Sequence, residues 1–372
     1  MKVGSMKVVM AAIDFPPHII GGEGVFGEKM ADIFWKKGII LQVIAPAGPD
    51  TQAFDQQKPY RIHRVPVLGR IFLTRMPTFG FQAGRVLKRQ TWDLAYLLRP
   101  CVPQPAPCVA HFHTTRFSEA RGCLRGKDLV AILANALYIP LDIFFARHAD
   151  RIIVLSKHMK GDVETVAPGC GKKSTVIGNG VDLCRFRPDP EKRAPWGQRI
   201  LYVGRLDQRK GIMDLLGAVS RIPQVSLSIA GNGPLQKLIA ERIDKLGLKK
   251  RVRLLGRIHR DKIPELYHTY DLLVLPSHYE GFGLVILEAM ASGTPVLTSD
   301  ACANLGQPVF RSGDVPAMAN MIQRLLSDPQ TLGTLSRIGI QTASRYEWDA
   351  IADQIISVFH QTLEPQQWET RS

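Results

Sequence analysis

The sequence has no apolar run long enough to cross a bilayer: its longest uncharged apolar stretch, Leu129 to Leu141, stops well short of the roughly 20 residues a spanning helix needs. No membrane-crossing helix is expected. No N-terminal segment reads as a secretory leader either, since the apolar residues from Val8 to Ile13 are few and run into Asp14 and two prolines. They read instead as a first strand. Cysteine is sparse: Cys101, Cys108, Cys123, Cys170, Cys184 and Cys302 are scattered, which excludes a disulfide scaffold and fits a reducing cytoplasm. Cys101, Cys108, His111 and His113 fall near one another, but the spacing C-x6-C-x2-H-x-H matches no common zinc pattern. Acid is absent from Gln56 to Trp92, where eight Lys or Arg residues stand without one.

What is present describes a globular chain, 45% apolar and 22% charged over 372 residues, longer than one hydrophobic core usually organises. Two domains are expected. The net charge of +15, concentrated in the acid-free block, predicts an anionic partner: nucleic acid, acidic lipid or a phosphorylated substrate. No nucleic-acid recognition motif accompanies the charge, so nucleic acid is the poorest of the three.

Short β-rich runs alternate with helical patterns along the whole chain, the signature of parallel α/β domains. MKVVMAAID, ILQVIAP, VAHFHT and DRIIVLS read as strands of a first half, and ILYVGR, VSLSIAG, RVRLLG, DLLVLPS and TPVLTS as strands of a second. Between them lie helices such as 24–37, with Val25, Phe26, Met30, Ile33 and Phe34 on one face and Gly38 as a stop. The pattern breaks at residues 182–198, where three prolines and mixed charges read as a linker. The domains expected are therefore 1–181 and 199–345. Residues 346–372 form a tail whose helix, Trp348 to Leu363, is amphipathic and must dock.

Open parallel sheets bind ligands at the carboxyl ends of their strands, and four loops stand out at such positions. GGEG (21–24) opens a helix, so its amides can approach an anion, although such turns are as often only tight connections. HFHTT (111–115) puts two histidines on one face of a strand end, where His113 competes as a functional residue with an ordinary hydrogen-bonded role. VGRLDQRKG (203–211) places Arg205 and Lys210 around one loop, a pair that suits a diphosphate by bidentate bonding and mobile point charge. SHYEGFGLVILEAMASGTP (277–295) holds Glu280 in a Gly-rich loop and Glu288 inside the helix that follows. Vicinal hydroxyls of a sugar or ribose donate economically to such carboxylates.

Those needs are the needs of a nucleotide-diphospho-sugar, and here the chain resembles a family. GGEG, HFHTT, ADRIIVLS (149–156), VIGNGVD (176–182), VGRLDQRKG, IAGNGP (229–234), LLGRI (254–258) and the E-x7-E of EGFGLVILE resemble, in order, the retaining glycosyltransferases of the two-Rossmann-domain (GT-B) type, family 4-like, also called glycosyl transferases group 1. The resemblance implies an α/β fold with two Rossmann-like parallel-sheet domains facing across a cleft, the first receiving the acceptor, the second the nucleotide-sugar, and a last helix crossing back to the first. It implies that Arg205 and Lys210 hold the donor diphosphate and stabilise the leaving nucleotide. Glu280 would contact the donor sugar and Glu288 the ribose, with Gly281, Phe282, Gly283 and Leu284 presenting backbone between them. Gly256, Arg257 and Ile258 would lie against the base, Gly22 near the diphosphate, and His113 near the reacting centre. No metal or other cofactor is implied: D-x-D is absent and the two cations supply the charge. The donor would be a UDP-, GDP- or ADP-sugar.

The stretch ACANLGQPVFRSGD (301–314) departs from the family, which has a Gly-Gly turn and a downstream acid there. Donor-sugar contacts from that loop, 301–308 above all, are placed in question. Within the basic region 58–89, Leu68, Ile71, Phe72 and Met76 can share a helical face beside Arg70 and Arg75. Such a face suits either the core or an anionic inner leaflet, and the acceptor expected is a glycan or a lipid-linked hydroxyl. Two alternatives stay open: a nucleotide-sugar epimerase on the same fold, and a non-catalytic nucleotide-sugar-binding subunit.

Overall fold

Apolar runs too short for helices and bounded by turn residues pair side by side into two parallel sheets, each with its own core. A computed structural model describes residues 6–19, 21–69, 72–89, 91–99, 107–125, 129–189, 191 and 195–364. One unit comprises Met1–Phe117, Ala134–Asn179 and Trp348–Ser372, the other Ser118–Leu133 and Gly180–Glu347. Residues 118–133, expected in the first domain, group with the second. The expected linker is also partly packed: Phe186 is buried against Tyr267, ring centroids 6.1 Å apart, so an aromatic anchor overrides the prolines around it.

The first unit carries β1 (Lys7–Ala12), β2 (Ile40–Pro46), β3 (Arg61–Val65), β4 (Leu94–Leu98), β5 (Cys108–Phe112), β6 (Arg151–Val154) and β7 (Ser174–Val176). Their order is β3-β2-β1-β4-β5-β6-β7, all parallel, with Met10 paired to Val43 on one side and Tyr96 on the other. The order reverses between β1 and β4, the point where open sheets make a ligand crevice. β4 and β5 are buried along their whole length, which explains their unbroken apolar sequence. Helix Gly22–Lys36 follows β1 with Phe26, Met30 and Phe34 inward, and Gly38, at φ +87°, turns the chain into β2. The C-terminal helix Trp348–Leu363 belongs to this unit: Phe359 lies 5.4 Å from Phe34 and 5.1 Å from Tyr96, and Lys37 pairs with Asp353 at 2.7 Å.

The basic block is less free than its sequence reads. Lys58 bridges Glu28 (2.9 Å) and Asp32 (3.1 Å), and Arg64 pairs with Asp55 at 2.7 Å. Helix Phe72–Leu87 buries Met76, Phe79, Ala83 and Leu87. The shared face expected for Leu68 and Met76 does not form: Leu68 precedes the helix and is exposed, whereas Met76 faces the core. Arg70 and Ile71 lie outside the described residues. No described helix is long and apolar enough to cross a membrane.

The second unit carries β8 (Arg199–Val203), β9 (Ser226–Ala230), β10 (Val252–Gly256), β11 (Leu272–Leu275), β12 (Val296–Ser299) and β13 (Val309–Phe310). The order β10-β9-β8-β11-β12-β13 repeats the first sheet's logic, with reversal between β8 and β11. The loops that leave those two strands hold the residues singled out from the sequence.

Candidate active site

The β8 loop is shaped by three local devices. Tyr202, buried, donates its hydroxyl to the Arg205 carbonyl at 2.9 Å. Asp207 caps a short 3-10 turn, Gln208–Lys210, by accepting from the Arg209 amide at 3.1 Å. Gly211 then sits at φ +64°, where an added Cβ would lie 2.0 Å from the Pro276 carbonyl oxygen, so only glycine lets this loop reach the end of β11. The Arg209 carbonyl completes the join by accepting from the His278 and Tyr279 amides at 2.7 and 3.3 Å.

That join brings Lys210 Nζ to 2.5 Å from Glu280 Oε2, both side chains largely buried. Arg205 stays mostly exposed, its Nε 3.3 Å from Asp207 Oδ2. Arg209 also reaches Asp207 (3.3 Å) and comes within 3.9 Å of Glu119, a residue of the 118–133 segment. The segment approaches closely, since a Cβ on Gly122 would meet Tyr279 Cβ at 2.3 Å. Three cations and two carboxylates thus share one loop pair, with Arg205 the most exposed of the five.

Gly283, at φ +89°, starts helix Leu284–Ala291 immediately after Glu280, Gly281 and the buried Phe282. The helix start turns amides and its positive end toward this loop, with half-buried Leu284 in its first turn. Glu288 lies one turn on and accepts from the Tyr267 hydroxyl at 3.0 Å. Burial holds its carboxyl above the ordinary glutamate range, against the opposing pull of the Tyr267 bond and of Arg260 and Arg185. At the end of β10, Gly256 takes φ +68° and its carbonyl accepts from Gly231 at 2.8 Å, with exposed Arg257 and half-buried Ile258 following.

The 301–308 loop is a self-bonded turn. Gln307 donates to Thr298 Oγ1 (2.9 Å) and the Ala303 carbonyl (2.8 Å) while accepting from the Leu305 amide (2.8 Å). Within it, burial pushes the Cys302 thiol up to about 12.

Gly22 and His113 lie in the first unit. Gly22 opens its helix, but the neighbouring Gly21 and Gly24 amides donate to Asp14 Oδ2 at 3.0 and 3.2 Å, so a carboxylate already occupies part of that anion position. His113 is buried with its ring stacked on His111, centroids 4.4 Å apart, and edge-on to Phe26 at 4.6 Å. Burial first, and then the Arg99 charge, lower its pKa to about 3, so the imidazole is neutral. Arg99 adopts φ +52° and donates Nε to Glu23 Oε2 at 2.8 Å. Glu23 Oε1 and both histidine Nε2 atoms are buried without a partner among the described residues. His111 Nδ1 is spoken for, 2.5 Å from the Tyr96 hydroxyl. No group of three or more potential metal ligands occurs among the described residues, and Cys101 lies outside them.

The structure thus joins Lys210 and Glu280 directly, keeps Arg205 on the same loop as Lys210, and sets Gly281 to Leu284 and Glu288 on the loop and helix that follow β11. Sequence reasoning missed Asp207, Tyr267, Glu119 and the Arg99–Glu23 pair. Only Asp207 left a local signal, as an acid two residues before the turn's basic pair.

The model of the family described as Glycosyl transferases group 1 matches residues 189–342, and that of Glycosyltransferase Family 4 matches residues 20–185. A glycogen synthase of Mycobacterium tuberculosis is 28% identical over 400 residues, covering 95% of this chain and 94% of the relative. Among solved structures, sucrose-phosphate synthase from Thermosynechococcus elongatus superposes with a TM-score of 0.76 at 22% identity, covering 96% of this chain and 98% of that one. Anabaena Alr3699/HepE in complex with UDP and glucose gives 0.74 at 21% identity, covering 96% and 100%. The structural likenesses establish a shared fold, GT-B.

Proposed function

Because the chain belongs to the glycosyltransferases, matched by the group 1 model in its second half and the Family 4 model in its first, we propose that it moves a sugar from a nucleotide-diphospho-sugar to a hydroxyl of a glycan or lipid-linked acceptor, with retention and without a divalent metal. The observation that carries this reading is the meeting of Lys210 and Glu280 beside Arg205 at the reversal point of the second sheet. A donor diphosphate there draws on the ammonium and the guanidinium, and Glu280 accepts from sugar hydroxyls. Glu288 accepts from the ribose diol while Tyr267 holds it. The bond from the anomeric carbon to the donor phosphate breaks as the acceptor oxygen attacks from the same face, and the acceptor proton passes to a donor phosphate oxygen. Developing charge on the leaving nucleotide is met by Arg205 and Lys210, the role a cation plays elsewhere.

His113, neutral and with Nε2 unpartnered, suits a hydrogen bond to the transferred sugar. The glycogen synthase relative and the UDP-bound neighbour support a nucleotide-sugar donor and a glycan acceptor. An acceptor held by lipid is favoured by the outer face of helix Phe72–Leu87, where exposed Phe81 and Arg85 lie one turn apart. That reading places the enzyme in the cytoplasm, visiting an anionic inner leaflet. Co-sedimentation with anionic vesicles at low salt tests it, and absence of binding removes the membrane.

The reaction is tested by incubating the protein with each donor and a panel of acceptors in EDTA. Nucleoside diphosphate release and a product of unchanged anomeric configuration by proton NMR are expected. Interconversion of the donor sugar without that release would instead mark an epimerase, and binding without turnover a non-catalytic subunit.

A further inference from the structure

A cavity of about 540 Å³ opens on the first unit, lined by Lys7, Gln42, Lys88, Arg89, Thr91 and Trp92. Its place in the sheet is unusual for this architecture. Lys7 and Ile40 are the first residues of β1 and β2 and pair in register, while Thr91 and Trp92 lead into β4. The cavity therefore sits at the amino edge of the three strands whose carboxyl edge carries the GGEG loop and Arg99. A strand of this length separates the two edges by about 17–20 Å. Nothing in the proposed reaction uses this edge.

The charges there are unbalanced. Lys58 and Arg64 of the same basic block have carboxylate partners, but the side chains of Lys7, Lys88 and Arg89 have none among the described residues. All three are exposed. The Asp93 carboxylate accepts from the Lys7 backbone amide at 2.8 Å. Lys88 and Arg89 follow the end of helix Phe72–Leu87, where the helix dipole favours cations. That preference accounts for two of the charges and not for Lys7, which comes from a strand start on a different segment. Trp92 supplies a half-buried wall, its ring fixed by donation from Nε1 to the Leu87 carbonyl at 3.3 Å.

Three like charges converging on a concave site repel one another until an anion joins them, and a guanidinium with two ammonium groups suits phosphate oxygens. An aromatic wall beside them accepts the apolar face of a sugar or glycerol unit. We infer that this cavity is a second binding site, separate from the donor site, for a phosphate ester carried on a polyol. Two sources share that chemistry: a free phosphorylated sugar and the headgroup of an anionic phospholipid.

The test must exclude phosphate binding at Arg205 and Lys210, so it is run with UDP saturating and repeated in Lys210→Ala. The probes are a hexose 6-phosphate, the unphosphorylated hexose, and phosphatidylcholine vesicles with or without phosphatidylglycerol. The wild type and Lys210→Ala are expected to bind a phosphate-bearing probe, more weakly as salt rises, and not the plain hexose. Lys88→Glu with Arg89→Glu is expected to lose at least tenfold in affinity, and Lys7→Ala alone a smaller factor. Because these side chains are exposed, Lys7→Ala should melt as the wild type does, and the double variant only slightly lower, by the helix-end charges it reverses. Binding of the hexose phosphate in solution assigns a soluble ligand, and binding only to phosphatidylglycerol vesicles assigns a headgroup. Failure of both probes, or equal affinity in wild type and the double variant, overturns the inference. Neither result bears on the donor reading, which fails separately if Lys210→Ala leaves nucleotide binding unchanged.

Discussion

Lys210 Nζ stands 2.5 Å from Glu280 Oε2 across a separation of 70 residues, so the cation assigned to the diphosphate and the acid assigned to the sugar neutralise each other before any donor arrives. The pair keeps both groups in place on a loop that Gly211 alone allows. A donor must share or displace this contact, and in the proposed reaction Lys210 meets the charge that develops on the leaving diphosphate. Lys210→Ala is therefore expected to lower kcat by about 10²–10³-fold, the usual cost of removing one charge-stabilising donor. Steady-state kinetics check this, with Lys210→Arg retaining part of the rate.

Glu288 carries a linkage prediction. Its folded pKa lies above the ordinary value of about 4.3, because burial penalises the charged form. The native state thus binds more protons than the unfolded chain between those two values, and this residue's contribution falls as pH rises through that window. Glu288→Gln is expected to raise the melting temperature at pH 7 and flatten that dependence. The same change should raise the donor KM about tenfold or more, since a hydrogen bond to a charged group is worth about 1.5–3 kcal/mol. Melting curves from pH 4 to 8 and donor kinetics decide both halves.

Tyr267→Phe removes the hydroxyl that donates to Glu288. Stability is expected to fall by about 1–3 kcal/mol, the cost of stranding a buried acceptor, in urea unfolding. Donor KM should rise while kcat for bound donor changes little, because Tyr267 acts through the carboxylate and does not touch the reacting atoms.

His113, with its pKa near 3, is neutral across the working range. No inflection near pH 6.5 from this residue is expected in kcat. Its folded pKa lies below the ordinary value of about 6.5, so the stability it lends is complete above that value and declines as pH falls toward about 3. An NMR titration of the ring protons checks the assignment directly.

Two glycines with similar positive φ separate strain from collision. Gly211→Ala would press a Cβ to 2.0 Å from the Pro276 carbonyl oxygen, whereas Gly256→Ala, at φ +68°, meets nothing within 4 Å. The first is expected to cost more than about 3 kcal/mol and disrupt the donor loops, the second about 1 kcal/mol from backbone strain alone. Urea melts of the two variants give the comparison.

Much of this was legible because periodicity is local. The strands after Lys7, Ile40, Arg199 and Leu272 announce themselves by short apolar runs, and Trp348 to Leu363 by its 3.6-residue spacing. β3 was hidden inside the basic block as RIHRV, and β4 as LAYLL, which lies buried on both faces and shows no alternation. In the site, Arg205, Lys210, Glu280 and Glu288 are marked by their loops. Tyr267, 21 residues from Glu288, and Glu119, in a segment that leaves the first half of the sequence, are brought in only by packing. The same holds for Asp14, whose carboxylate at the Gly21 and Gly24 amides no motif records.

The central claim is that the β8 and β11 loops clamp a nucleotide-diphospho-sugar, and a thermal-shift screen against UDP-, GDP- and ADP-sugars tests it most directly. A ligand that binds the native state raises stability by about 2.7 kcal/mol at a hundredfold excess over Kd. At least one donor is expected to raise the melting temperature of the wild type and to have its effect abolished by Lys210→Ala and weakened by Glu288→Gln. A flat response of the wild type to every donor, or a shift untouched by Lys210→Ala, would contradict it.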